Sequence, residues 1–162
     1  MSITGVRVGQ GFDIHRFSDD PKRPLVLGGV TFEGVRGLEG HSDADAIAHA
    51  CADALLGAAG LGDIGQHYPD TDPAWKGADS LAILRDVASK LSALGWRISN
   101  VDCSVVCEEP RIAPHRDAMI ALLSAAAGAP ISVKGRRAEG LGSIGRGEGI
   151  ACFASALIMK ES

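Results

Sequence analysis

Aromatic residues make up only 4% of the 162-residue chain, and no apolar run reaches the length of a membrane span. The first shortage leaves few large anchors for a core; the second argues against a transmembrane helix. The four cysteines, Cys51, Cys103, Cys107 and Cys152, contain no C-x-x-C pair and stand among Ala, Val or Ile. They read as small buried hydrophobes, not as disulfides or a thiolate zinc site. No G-x-x-x-x-G-K-[ST] loop is present. "GLGSIG" at 140–145 has the G-x-G-x-x-G spacing, but a strand-like segment follows where a dinucleotide site needs a helix. The net charge of −4 offers no general attraction to nucleic acid or to an anionic membrane. The opening "MSITGVRVGQGFD" has neither an apolar signal core nor an Arg/Ser-rich transit pattern, so a cytoplasmic location is expected.

What is abundant is glycine, with 21 residues concentrated near 28–40, 57–65 and 135–149. Such a chain can pack its elements closely, and oligomerisation is one way for it to bury more area. The patterning predicts strands over 6–15 and 24–32, then a helix over 42–60 with Ser42 as N-cap and Asp45 in its first turn. A long loop, 62–79, leads to a helix over 80–95 with Leu81, Leu84, Ala88, Leu91 and Leu94 on one stripe. A strand over 97–109, a helix over 114–128 and a strand over 131–137 follow. A glycine-rich loop and a last strand over 150–160 close the chain. The order ββααβαββ is α+β, with a mixed sheet packed on one side by helices, in a single domain spanning 1–162.

Asp13 and His15 in "GFDIH" point to the same side of a strand. The spacing suits either a metal site or an ordinary polar strand end. Ser42, Asp45, His49 and Leu56 fall on one helical stripe, and His49 is either a ligand or a hydrogen-bonded helix residue. Together Asp13, His15 and His49 supply the carboxylate and two imidazoles of a catalytic zinc site with an open position. His41 and Ser42 precede the helix, where a phosphate binds well. Asp63, Asp70 and Asp72 suit polyol binding or a place near a metal, and Asp70 and Asp72 suit turn formation beside proline as well. Lys134, Arg136, Arg137 and Arg146 form a basic cluster in sequence, with Glu139 inside it as a possible ligand for a hard cation such as Mg²⁺.

"GFDIH", "GHSDADAIAHACADALLGAAGLGDIG", "YPDTDPAWKGADS" and "GRGEGIA", in this order, resemble the 2-C-methyl-D-erythritol 2,4-cyclodiphosphate synthase family over nearly the whole chain. The resemblance implies a lyase of the non-mevalonate isoprenoid route. Its reaction cyclises 4-diphosphocytidyl-2-C-methyl-D-erythritol 2-phosphate and releases CMP. It implies a homotrimer with active sites between subunits, and zinc on Asp13, His15 and His49, with Ile14 beside them at the substrate. His41 and Ser42 would hold phosphate, His41 helping to stabilise the transition state. Asp63, Ile64 and Gly65, with Tyr68, Pro69, Asp70, Thr71 and Asp72, would line the methylerythritol pocket and its mobile flap. Cys107, Glu108, Glu109 and Pro110, continuing through Arg111, Ile112 and Ala113, match the segment that reads cytosine. Glu139 matches a ligand of a second cation, Mg²⁺ or Mn²⁺. Arg146 and Glu148 match a region near the trimer axis, where related enzymes can hold an isoprenoid diphosphate.

One stretch departs from the family pattern. "KGRRAEG" stands where the family shows K-A-T-T, one further residue and Glu, so Arg136 and Arg137 replace threonines ahead of Ala138 and Glu139. Ser143 occupies a position that is often aromatic. Arg137 is expected to take over the phosphate contact of the second threonine, facing the same diphosphate as Glu139. A metal-dependent phosphohydrolase and a trimeric protein binding cytidine nucleotides or isoprenoid diphosphates are the alternatives.

Overall fold

The computed structural model describes residues 5–160. β1 (Val6–Arg16), β6 (Gly149–Lys160), β4 (Trp96–Val106) and β5 (Ile131–Arg136) form one mixed sheet in that spatial order. β1, β4 and β5 run one way and β6 runs against β1 and β4. The C-terminal ends of β1, β4 and β5, at Arg16, Val106 and Arg136, therefore share one end of the sheet with the start of β6. β1 and β5 occupy opposite edges, about 14 Å apart from three strand spacings. The expected mixed sheet with helices on one side is present.

Three long helices, α1 (Ala46–Ala59), α3 (Ser80–Ala93) and α4 (Arg116–Ala127), cover one face. α1 lies on β1 and β6 and packs against α3, which packs against α4, itself seated on β5. β6 shows the alternation this requires: Ile150, Cys152, Ala154, Ala156 and Ile158 are buried, while Phe153 and Ser155 are exposed. All four cysteines are free and buried. No helix among the described residues is long and apolar enough to cross a membrane.

On the other face, Val6, Val8, Phe12 and Ile14 of β1 and Phe153 of β6 are exposed. The rings of Phe12 and Phe153 sit 4.9 Å apart there. An apolar sheet face of this kind is unusual on a monomer.

Several elements differ from the sequence expectation. Residues 24–32 form a hairpin of two short strands, β2 (Leu25–Leu27) and β3 (Val30–Phe32). Gly28 and Gly29 between them both adopt positive φ, at 58° and 76°, as a two-residue hairpin turn demands. The first long helix begins at Ala46, with Asp45 and not Ser42 as N-cap. The Asp45 carboxylate accepts from Ile47 N and Ala48 N of the helix and also from Gly28 N and Gly29 N of the hairpin turn, at 2.7–3.1 Å. Only a carboxylate has enough acceptor sites for four donors. Burial pushes its pKa up to about 6 against the pull of those N–H groups.

The stripe expected on α3 is rotated: Ile83, Leu84, Val87 and Leu91 are buried, whereas Leu94, the residue after the helix, is exposed. The 62–79 segment carries a one-turn helix, α2 (Ile64–His67), and a 3-10 turn at Pro73–Trp75. The glycine-rich loop likewise contains a single turn, α5 (Gly142–Gly145).

Candidate metal and substrate site

Asp13 and His15 lie on the helix-facing side of β1, and the fourth residue of α1 is His49. The approach is close because Gly9 and Gly11 stand where side chains would collide with α1. As a result the ligand atoms of Asp13, His15 and His49 all lie within 4.8 Å of one another. Ile14 points the other way, onto the open face, as strand alternation requires.

Within the triad, His15 Nε2 is 2.9 Å and His49 Nδ1 is 3.2 Å from the same oxygen, Asp13 Oδ2. His15 Nδ1 donates to the Glu39 carbonyl at 2.6 Å, which leaves Nε2 as the ligand nitrogen. Despite its closeness to Asp13, that nitrogen is out of line for a hydrogen bond. It is the buried side-chain nitrogen or oxygen that lacks a hydrogen-bond partner among the described residues. Buried lone pairs converging in this way fit a divalent cation.

The electrostatics agree. Burial alone would raise the Asp13 pKa, but the His15 and His49 side chains against its carboxylate outweigh it and hold it at about 2. For His15, burial opposes the charged form, yet Asp13 and the Glu39 carbonyl raise its pKa above the ordinary value. The pocket favours positive charge between these residues.

A cavity of about 250 Å³ opens beside the triad, lined also by Gly40, His41, Ser42, Ile64, Tyr68, Asp70, Trp75 and Ile83. His41 Nε2 donates to the Asp72 carbonyl at 3.0 Å, and Gly77 N donates to the His41 carbonyl at 2.8 Å. These bonds tie the 68–79 segment to the residues before α1. Tyr68 packs edge-on against Trp75, with ring centroids 4.9 Å apart, and donates its hydroxyl to Asp86. Asp63 and Asp72 act as turn formers, capping α2 and the 3-10 turn through Gln66 N and Ala74 N. Asp63, Gly65, Pro69, Thr71 and Asp72 border this segment without lining the cavity.

A second cavity, about 380 Å³, lies at the opposite edge of the same sheet end. Cys107, Glu108, Glu109, Pro110, Arg111, Ile112 and Ala113 all line it, joined by Arg116, Gly135, Arg136 and Arg137. Here one expectation is corrected. Arg137 and Glu139 do not alternate along a strand, because β5 ends at Arg136 and Glu139 has a left-handed backbone, φ 54°. Arg137 Nε instead donates to Glu108 Oε2 at 3.1 Å. The other oxygen of Glu108 accepts from Ala138 N and Gly140 N, at 2.9 and 3.4 Å.

The basic cluster seen in sequence is dispersed as well. Lys134 pairs with Asp102 on the open face, Arg137 with Glu108, and Arg146 with Glu148. Glu139, Ser143 and Arg146 are exposed and line neither of these two cavities. Within one chain, Glu139 does not join the triad.

Two residues at the triad, Ser80 and Asp43, escaped the sequence reading. Ser80 Oγ is 2.8 Å from His49 Nε2 and donates to Asp43, and Ser42 Oγ is 3.2 Å from the same nitrogen. Ser80 begins α3, where a serine reads as an ordinary helix start, and its partner lies 31 positions away.

Comparison with known proteins follows the same lines. The profile of the YgbB family matches residues 6–159. A protein of Bordetella petrii named 2-C-methyl-D-erythritol 2,4-cyclodiphosphate synthase is 52% identical over 159 residues, covering 96% of this chain and 97% of that one. The structure of a bifunctional IspDF from Campylobacter jejuni superposes with a TM-score of 0.91 at 39% identity; it covers 97% of this chain, which spans 43% of that longer one. The structure of an IspF from Plasmodium falciparum in complex with CDP superposes with a TM-score of 0.84 at 35% identity, covering 99% of this chain and all (100%) of that one.

Proposed function

We propose a function from one premise: this chain belongs to the YgbB family. It cyclises 4-diphosphocytidyl-2-C-methyl-D-erythritol 2-phosphate to 2-C-methyl-D-erythritol 2,4-cyclodiphosphate, releasing CMP, in the non-mevalonate route to isoprenoid precursors. The observation that carries this reading is the convergence of Asp13, His15 and His49 on one point beside a cavity, in a chain similar over nearly its whole length to synthases of this name.

In this reaction the substrate's 2-phosphate oxygen attacks the β-phosphorus. A new P–O bond forms, the bond from the β-phosphorus to the oxygen bridging the α-phosphorus breaks, and CMP leaves with that electron pair. The class is a phosphorus–oxygen lyase. No strong side-chain base is required, because the nucleophile is already an anion; alignment and charge neutralisation are required. Asp13, His15 and His49 would hold zinc, which when bound polarises a diphosphate oxygen. His41 and Ser42, on the cavity wall, orient the phosphates, and Glu139 would hold a second divalent cation, Mg²⁺ or Mn²⁺. The 107–113 pocket takes the cytidine end; CDP in the Plasmodium falciparum structure supports a cytidine nucleotide partner.

A homotrimer is part of the same reading. The exposed apolar face of β1 and β6 supports it. So does the separation of the two cavities, which share no lining residue within one chain and would be joined by a neighbouring copy. An isoprenoid diphosphate at the axis is supported by a cavity of about 460 Å³ lined by Arg16, Arg36 and Glu148. The chain acts as a single catalytic domain, in the cytoplasm.

The test is incubation with the purified substrate followed by phosphorus NMR. The cyclic diphosphate and CMP are expected. Appearance of inorganic phosphate in their place would make the protein a phosphohydrolase, and unchanged substrate would make it a binding protein.

A further inference from the structure

The structure assigns Ser80 and Asp43 as positioning residues that decide which nitrogen of His49 carries a proton, and so turn His49 Nδ1 into a metal ligand. The inference rests on the metal reading above.

The argument is one of proton direction. Asp43 Oδ1 receives the Ser80 hydroxyl and Asp45 N at 3.1 Å, while Oδ2 receives Ser80 N at 3.0 Å. An ionised carboxylate only accepts, so the hydroxyl hydrogen of Ser80 lies between Ser80 and Asp43. Ser80 Oγ then has only lone pairs to offer His49 Nε2, 2.8 Å away. Nε2 must therefore carry the hydrogen. A neutral imidazole has one N–H, so Nδ1 is left with a lone pair for a cation held between it and Asp13 Oδ2, 3.2 Å away; without a cation that carboxylate oxygen competes for the proton.

The opposite arrangement is disfavoured by the same contacts. If Ser80 donated to His49, its oxygen would face the Asp43 carboxylate lone pair to lone pair, at close range and in a buried place. Asp43 cannot turn away, because Ser80 N and Asp45 N hold its two oxygens and its own N–H donates to the Ala78 carbonyl at 3.1 Å. Ser42 Oγ shares the Nε2 hydrogen as a more distant acceptor and also receives Ala44 N at 3.2 Å. Its own hydrogen is thus directed elsewhere, toward the cavity that Ser42 lines.

The result mirrors His15, where a backbone carbonyl performs the same selection from the other nitrogen. Two histidines thus present opposite ring nitrogens, each chosen by an acceptor on the far side. Outer partners of this kind typically change metal affinity by about ten- to a hundredfold.

Two measurements decide the matter. In zinc-loaded protein near pH 8, above the ordinary imidazole range of about 6.5, long-range ¹H–¹⁵N spectra should show His49 protonated on Nε2. Ser80→Ala should bind zinc about ten- to a hundredfold more weakly in competition with a chromophoric chelator, with its circular dichroism retained. Ser80→Thr, which keeps the hydroxyl, should recover most of that loss. A wild-type His49 protonated on Nδ1, or a folded Ser80→Ala that binds zinc as tightly as wild type, overturns the assignment. Should Ser80→Ala not fold, the wild-type spectrum alone decides. If the wild-type protein binds no zinc, the metal reading fails and the assignment with it, whereas zinc bound with His49 protonated on Nδ1 overturns the assignment alone.

Discussion

Gly11 lies so close to Ala50 that a Cβ on it would stand 2.0 Å from the Ala50 carbonyl oxygen. This contact presses α1 onto β1 one residue from His49 and two from Asp13. Gly11→Ala must therefore push helix and strand apart. It is expected to destabilise the protein by about 1–3 kcal/mol or more, and to weaken zinc binding as the ligands separate. Gly57→Ala is the matched control, since its Cβ would meet only the Gln10 carbonyl oxygen at 3.7 Å. Helix propensity predicts a stabilisation of about 0.5–1 kcal/mol there. Thermal melts and metal titrations of the two variants check both statements.

His49→Ala is expected to lose the zinc and the cyclising activity while keeping its secondary structure. Buried where α1 meets α3, the side chain leaves a small polar gap, and the helix itself gains a better helix former. Metal analysis after dialysis is the measurement. Stoichiometric zinc on this variant would remove the triad as the site.

Phe12 and Phe153 form the centre of the open sheet face, 48% and 45% exposed in the single chain. Phe153→Asp should convert a trimer into monomers in sedimentation, because a charge buried against apolar neighbours is strongly unfavourable. Activity should fall with it, though each monomer keeps Asp13, His15 and His49. A wild-type chain that sediments as a monomer would refute the trimer.

Arg137 lines the 107–113 cavity and is held by Glu108, so its guanidinium is already placed to meet the phosphates of the proposed nucleotide ligand. A charge-assisted contact to phosphate is worth about 1.5–3 kcal/mol. Arg137→Ala should lower kcat/KM by about ten- to a hundredfold, since each 1.36 kcal/mol is a factor of ten, with zinc content unchanged. Arg137→Thr should recover part of the loss. Wild-type turnover in Arg137→Ala would leave the arginine without a role in phosphate binding.

Cys107 sits in the same cavity with a depressed reactivity. Burial first, then the Glu108 and Glu109 carboxylates, push its thiol up to about 11. At pH 8 only about one thiol in a thousand is then the reactive thiolate. Alkylation of folded protein by iodoacetamide should be slow at pH 8 and rise about tenfold per pH unit towards pH 11, whereas unfolded protein should level off near 8.5. Peptide mass spectrometry reads the rate at this cysteine, and equal rates for folded and unfolded protein at pH 8 would contradict the shift.

Much of the frame is legible in the sequence because it depends on near neighbours. Strand alternation alone places Asp13 and His15 on one side of β1. Gly60 ends α1 in the left-handed conformation that its lack of a side chain permits. The contiguous segment 107–113 stays together as one cavity wall. Features that depend on distant partners are not legible in this way. Asp45, and not Ser42, caps α1 because its carboxylate must also serve the turn at Gly28 and Gly29, a demand visible only once the hairpin docks. Lys134, Arg137 and Arg146 are neighbours in sequence, yet each takes its own carboxylate as β5 ends and the loop turns away. Ser80 reaches His49 across 31 residues because α3 packs on α1. Local periodicity determines which residue types face one way; packing between elements decides which atoms meet, and the proton positions at the candidate metal site depend on those meetings.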